Sequence, residues 1–305
     1  MICHERIIKN PRSAEPIEIA VYGDVHFEAE GCDHKALKSS LKEDGQHKRY
    51  LLFPGDLFDL ILPNDLKRFR PSALKWIITD PNTGRHRDTR DRKDAIVDML
   101  VNDAYKLLKP YASRILGIGF GNHERSYIKR GYSDPIAGLI TQLNKHTTKD
   151  ARIAHLGYSA FLRLVIQPQQ HKQRGGTRSI TLYYHHGWGG GARTRGATIT
   201  KYWKHLADYG ADIGVYAHDH KSQLDSSIRF ELIGRPPRVK AKKRLLVLAG
   251  TFLRTISDGV DPSYGEEKGY APENIGRHLI WIKPIFNPEI PGYPLKFDAS
   301  FEGRS

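Results

Sequence analysis

Short apolar runs, rich in β-branched and aromatic residues, recur along the chain. Each ends abruptly in Gly, Asp, Asn or His. Ile17–Tyr22 runs into Gly23-Asp24-Val25-His26, and Tyr50–Phe53 runs through Pro54 into Gly55-Asp56-Leu57-Phe58-Asp59. Arg114–Phe120 meets Gly121-Asn122-His123-Glu124, Ile180–Tyr184 meets His185-His186-Gly187, and Ile213–Tyr216 meets Ala217-His218-Asp219-His220. Continuous apolar runs this short predict buried strands. Between them, 95–108 carries apolar residues at 96, 97, 100, 101, 104, 107 and 108, a helical period. Weaker helical patterns cover 136–143 and 198–209. Two further strands are expected at 245–249 and 279–283. Strands alternating with helices predict a layered α/β fold. In such folds binding residues gather just past the carboxyl ends of strands, where all five polar clusters lie.

The chain has 305 residues, enough for two domains or one large α/β domain with insertions. It is 39% hydrophobic and 27% charged, which excludes disordered and collagen-like classes. No run approaches a membrane span, and the N-terminal stretch has no apolar core of a signal peptide. The two cysteines, Cys3 and Cys32, are too few for a disulfide framework, and their spacing to His4 and His34 fits no zinc finger. Two free thiols in a soluble, cytoplasmic protein are expected.

Charge changes the picture. Lys and Arg number 48 against 34 Asp and Glu, for a net charge of +14. The excess favours a polyanionic partner. Two stretches concentrate it. Nine basic and three acidic residues lie between 67 and 93, with Phe69 and Trp76 interleaved as candidate base-stacking side chains. Arg235–Arg244 holds six basic residues and no acid. The glycine-rich stretch 187–196 places Arg193 and Arg195 where they can grip a phosphodiester chain. It lacks the GK[ST] ending of a nucleotide P-loop.

If the five strand-end clusters meet, Asp24, His26, Asp56, Asn122, His186, His218 and His220 bring oxygen donors and imidazoles together. That mixture suits two borderline divalent metals. Two such ions about 3.5–4 Å apart clamp a phosphoryl oxygen and acidify water.

These five clusters, in this order, resemble the signature of the calcineurin-like metallophosphoesterases: D-x-H, G-D-x-x-D, G-N-H-[D/E], H-G and [G/A]-H-x-H. The resemblance spans about residues 17–250. It implies a four-layer α/β/β/α sandwich with a dinuclear centre. One metal would take Asp24, His26 and His220, the other Asn122, His186 and His218, with Asp56 as the bridge. Manganese is the first choice of metal, with Fe, Zn, Ni or Mg as alternatives. His123 would face the leaving group as acid or hold a phosphoryl oxygen, Asp59 would orient it, and Glu124 would support the centre from behind. His186 is chosen as ligand because it directly precedes Gly187. His185 then points to the other face, in a structural or substrate-facing position.

Three departures from the family pattern matter. Ala217 replaces the usual Gly. The 66-residue gap from Asp56 to Asn122 implies a basic insertion over about 63–94. Leu60 follows Asp59 where phosphoprotein phosphatases continue to a phosphate-clamping Arg. Gly-Asp-Leu-Phe-Asp resembles instead the double-strand-break repair exonuclease branch, whose members often dimerise and work with an ATPase. The expectation is a single domain over 1–305, with its core at about 17–285 and an irregular tail at about 286–305. Its function would be a metal-dependent DNA nuclease, with DNA preferred to RNA and no membrane partner. The alternatives are a phosphatase or phosphodiesterase acting on small molecules, and a non-catalytic scaffold. The complete ligand set argues against the scaffold.

Overall fold

A computed structural model of the chain describes residues 2–10, 15–61, 96–168, 178–189, 194–256, 264–267, 269–284 and 295–304. The expected insertion over 63–94 lies outside these residues. Two six-stranded mixed sheets carry the fold. The first sheet contains β1 (Ile2–Asn10), β6 (Ser159–Pro168), β7 (Arg178–His185), β8 (Ile213–Tyr216), β10 (Arg238–Ala249) and β9 (Ser222–Ile233), in that spatial order. The second runs β12 (Leu295–Arg304), β11 (Ile275–Pro284), β2 (Ile17–Val21), β3 (Tyr50–Pro54), β4 (Ile115–Gly119) and β5 (Ala154–Gly157). Strands β2 to β5 are parallel, as are β7, β8 and β10.

Three apolar clusters fix the layers. Ile19, Val21, Leu52 and Leu116 of the second sheet meet Leu162, Leu182, Val215 and Val247 of the first, forming the inter-sheet core. The opposite face of the second sheet is covered by α1 (His34–Gln46), α2 (Ile96–Leu108) and α4 (Pro135–Leu143), through Leu37, Leu41, Leu100, Ala104, Leu139 and Leu143. The opposite face of the first is covered by α5 (Arg195–Leu206), which packs Tyr202 and Leu206 on Tyr183, Tyr216, Leu246 and Leu248. The result is the expected four-layer α/β/β/α sandwich. A fifth helix, α3 (Asn122–Lys129), starts directly at the third motif.

Local chemistry explains the helix starts. Asp33 accepts from Ala36 N at 2.8 Å, and Asp134 accepts from Ile136 N and Ala137 N ahead of Pro135. Near its end, α1 is anchored by Asp44, which is fully buried. Asp44 accepts from Arg277 at 2.7–3.1 Å, from Arg49 at 2.9 Å and from the Tyr22 hydroxyl. Its loss leaves two largely buried guanidinium groups without this partner, at a cost of roughly 3–5 kcal/mol.

Three expectations change. The tail is not irregular throughout, because 295–304 forms β12, antiparallel to β11, with Phe297 and Ala299 against the inter-sheet core. The core begins before residue 17, because β1 pairs in parallel with β6. As an edge strand it buries little more than Ile8 and Arg6, whose guanidinium donates to the carbonyls of Arg152 and Ser113. The basic run 235–244 is part of the β9–β10 hairpin, and half of it is committed internally. Arg244 is buried and donates to the carbonyls of Leu206, Tyr209 and Ala211, which close the end of α5. Lys242 pairs with Asp212 and Lys243 with Asp298.

Candidate metal centre

The carboxyl ends of β2, β3, β4, β7 and β8 converge, and their loops bring together all seven candidate ligands. Asp24, His26 and His220 form one group, with donor atoms within 4.8 Å of one another. Asp56, His186 and His218 form a second. Asn122 joins the second group, its Oδ1 lying 3.0 Å from His186 Nε2 and 2.7 Å from His218 Nδ1. Asp56 Oδ2 faces both groups, 3.2 Å from His186 Nε2 and 4.0 Å from His26 Nε2.

The backbone is bent to make this arrangement. Asp24, His26, Asp56, His218 and His220 all have positive φ, between 39° and 75°. Left-handed backbone costs an ordinary residue on the order of 1 kcal/mol, and it gathers where function outweighs stability. Supports hold it. Thr251 Oγ1 and Phe252 N both donate to the Asp24 carbonyl. Two glycines are obligatory for space: a Cβ on Gly121 would lie 2.1 Å from Asp56 Oδ1, and one on Gly55, at φ +92°, would lie 2.6 Å from His186 Nδ1.

Hydrogen-bond partners assign the imidazole tautomers. His26 Nδ1 donates to Asp59 Oδ1 at 2.8 Å, which turns the Nε2 lone pair toward His220 Nε2, 3.2 Å away. His186 Nδ1 donates to the Pro54 carbonyl at 3.0 Å, so its Nε2 lone pair faces Asn122 and Asp56. His218 Nε2 donates to the Gly189 carbonyl at 2.7 Å, leaving Nδ1 against Asn122 Oδ1. Both oxygens of Asp24 are buried without a hydrogen-bond partner. Acceptor faces acceptor across the centre, and an orphaned carboxylate lies behind them. Positive charge is what such a set lacks, and nitrogen and oxygen donors of this kind suit a divalent cation.

The carboxylates draw protons for the same reason: against burial, Asp59 lifts His26 to about 10 and Asp56 lifts His186 to about 9. Burial pushes the Asp24 carboxyl up to about 7, against the pull of His186. Asp56 resists its own burial because His186, His123 and His26 surround it, and it stays well below the carboxylate range. Burial and the neighbouring His26 hold His220 far below its ordinary value, which keeps its nitrogen available.

His123 stands beside the first group, its ring edge-on to His26 with centroids 4.8 Å apart. Its Nδ1 lies against Asp59, at the carbonyl oxygen and, at 3.2 Å, at Oδ1. Asp59 therefore holds two imidazoles, His123 and His26, where the sequence suggested only His123. Glu124 is fully buried and joins the motifs, accepting from Phe58 N at 2.9 Å and from Gly121 N at 2.8 Å. Sequence reasoning missed Thr251 and Glu28, which accepts from Leu60 N. Neither belongs to a recognisable motif.

His185 lies on the opposite face of β7 from His186, as strand alternation requires. It packs against Trp188, His205 and Tyr158, accepts from Gly187 N and is not part of either group. Arg193 is outside the described residues, as is the side chain of Arg195.

Fold and site thus define a layered α/β sandwich with a buried Asp/His/Asn centre at its strand ends. No family model and no curated protein matches the chain. Among solved structures it is similar to Vps29 from Entamoeba histolytica, complexed with Zn2+, at 12% identity and a TM-score of 0.36, covering 93% of this chain and 99% of that one. It is also similar to a conserved uncharacterized protein, a predicted phosphoesterase, from Streptococcus pneumoniae, at 11% identity and a TM-score of 0.33, covering 94% and 99%. Likeness this distant leaves activity and substrate to the site itself.

Proposed function

We propose that the protein is a metallophosphoesterase that uses two divalent cations, manganese first, to hydrolyse the phosphodiester bonds of nucleic acid, DNA ahead of RNA. One observation carries the metal reading: lone pairs from both groups converge around the unpartnered Asp24 carboxylate and the shared Asp56. Asp24, His26 and His220 would hold one ion, Asn122, His186 and His218 the other, with Asp56 between them. Bound divalent cations supply Lewis-acid charge to phosphoryl oxygens and make water acidic at neutral pH. The chain's own residues do the rest. Asp59 fixes the His123 ring through Nδ1, which leaves Nε2 free so that the ring, in its imidazolium form, gives the Nε2 proton to the departing oxygen and returns to neutral. Asp59 also fixes His26 and so couples the acid to the ligand shell. Trp188, 39% exposed and two residues from His186, offers a stacking surface at the rim.

The nucleic-acid part rests on the net charge of +14 and on the resemblance of Gly-Asp-Leu-Phe-Asp to repair exonucleases. One observation favours a small-molecule diester instead: Lys242, Lys243 and Arg244 are engaged within the protein. The test is hydrolysis of bis-p-nitrophenyl phosphate, p-nitrophenyl phosphate and labelled single- and double-stranded DNA, with manganese and with chelator. Metal-dependent cleavage of DNA and of the diester is expected, with DNA binding that weakens linearly in log salt. Cleavage of the diester without salt-dependent DNA binding would replace the nuclease by a small-molecule phosphodiesterase. No metal-dependent hydrolysis at all would remove the whole reading.

A further inference from the structure

The inter-sheet core does not stop where the sandwich stops. On β9, Leu224, Ser226, Ile228, Phe230 and Leu232 share one face, opposite Val247, Leu245, Lys243, Ala241 and Val239 of β10. Leu224, Val247 and Leu245 pack in the core. The same stripe then runs on into solvent, with Ile228 66%, Phe230 70%, Leu232 75% and Val239 67% exposed. β9 is also the end strand of its sheet, twelve residues long, and among the described residues nothing pairs with its outer edge. A long edge strand with an apolar face invites another strand.

The sequence of that strand says which one. Ile228-Arg229-Phe230-Glu231-Leu232 is self-complementary about Phe230. Antiparallel pairing of two copies about a two-fold axis there sets Phe230 against Phe230. It sets Ile228 of one copy opposite Leu232 of the other, and Arg229 opposite Glu231, each twice. The apolar residues meet on one face and the opposite charges on the other, the pairings that stabilise a ladder. An isologous contact needs this self-complementarity, whereas a polyanion or an anionic membrane has no use for Glu231. The hairpin turn lies at the amino-terminal end of the parallel strand β10, opposite the metal centre, so pairing leaves that centre open.

We propose that β9 pairs with β9 of a second copy of this chain, antiparallel about Phe230, joining the two six-stranded sheets into one. The inference is independent of the function proposed above. The test is sedimentation of the full chain over a concentration series, with thermal melts confirming that each variant is folded. The parent should reach twice the 34.7 kDa chain mass. R229E and E231R each place like charges opposite at two symmetric positions and should weaken the dimer roughly tenfold or more. An equimolar mixture of R229E and E231R should restore it, since every facing pair is then of opposite sign. No effect within a single chain produces that rescue. F230D should be folded and monomeric. A monomeric parent at all concentrations would overturn the proposal, and so would a monomer that floats with anionic vesicles. A mixture no tighter than its components, or a dimer unaffected by F230D, would place any association elsewhere.

Discussion

Glu124 offers the sharpest check on how the centre is held, because it touches neither substrate nor any donor group, yet two of the five motifs hang from it. Its carboxylate accepts the amide of Phe58, in the loop after β3, and the amide of Gly121, just before α3. The side chain is fully buried, so Glu124→Ala strands both donors away from water, at about 1–3 kcal/mol each. The lost methylenes add about 1 kcal/mol or more. The expected loss is roughly 3–7 kcal/mol in urea unfolding. Glu124→Gln keeps one acceptor and should lose roughly 1–3 kcal/mol. Both loops carry proposed ligands, Asp56 on one and Asn122 on the other. Manganese affinity by calorimetry should therefore fall about 10–100-fold in Glu124→Ala, the usual worth of a group that orients ligands. A variant within about 0.5 kcal/mol of the parent, with undiminished manganese binding, would refute the idea that this carboxylate ties the second and third motifs together.

Asp24→Asn removes a buried, unpartnered carboxylate. In chelator it should melt higher than the parent, by about 1–3 kcal/mol in stability, while losing most of the parent's manganese-induced rise in melting temperature. His123→Ala should keep its metal and lose about 10²–10⁴-fold in rate on DNA. It should lose less on p-nitrophenyl esters, whose leaving group needs no proton; equal losses would remove the acid role. His278 is fully buried and hydrogen-bonded to Ser222, and burial pushes its imidazole down to about 4. The folded chain thus keeps it neutral where the unfolded chain takes a proton. Stability should be unaffected by this group above about pH 6.5 and should fall between pH 6.5 and 4, by on the order of 3 kcal/mol in total. Denaturant midpoints across that range, with His278→Gln flattening the acid limb, measure it.

The centre was legible because its chemistry sits at strand ends, where an apolar run stops and a polar motif begins. Asp24, Asp56, Asn122, His186 and His220 come from loops far apart in sequence, but each is announced by the strand before it. The left-handed backbone at Asp24, His26, Asp56, His218 and His220 was not legible, since nothing in Asp-Val-His declares a positive φ. Periodicity located α2, α4 and α5 but not α1, whose apolar stripe is reduced to Ala36, Leu37 and Leu41 and whose anchor is the polar Asp44. The edge strands β1 and β12 escaped for a related reason: each buries only a few side chains, so neither makes a continuous apolar run. Arg244 shows the limit of reading charge along a line. It lies in a basic run, yet its position on β10 turns it inward to the carbonyls at the end of α5.

The central claim is a centre for two ions, and the most direct measurement is metal content. Chelator-treated protein, saturated with manganese, desalted and analysed by plasma mass spectrometry, should carry two ions per chain. One ion or fewer per chain would contradict the account, because it would leave half of the converging donors without the charge they are built to meet.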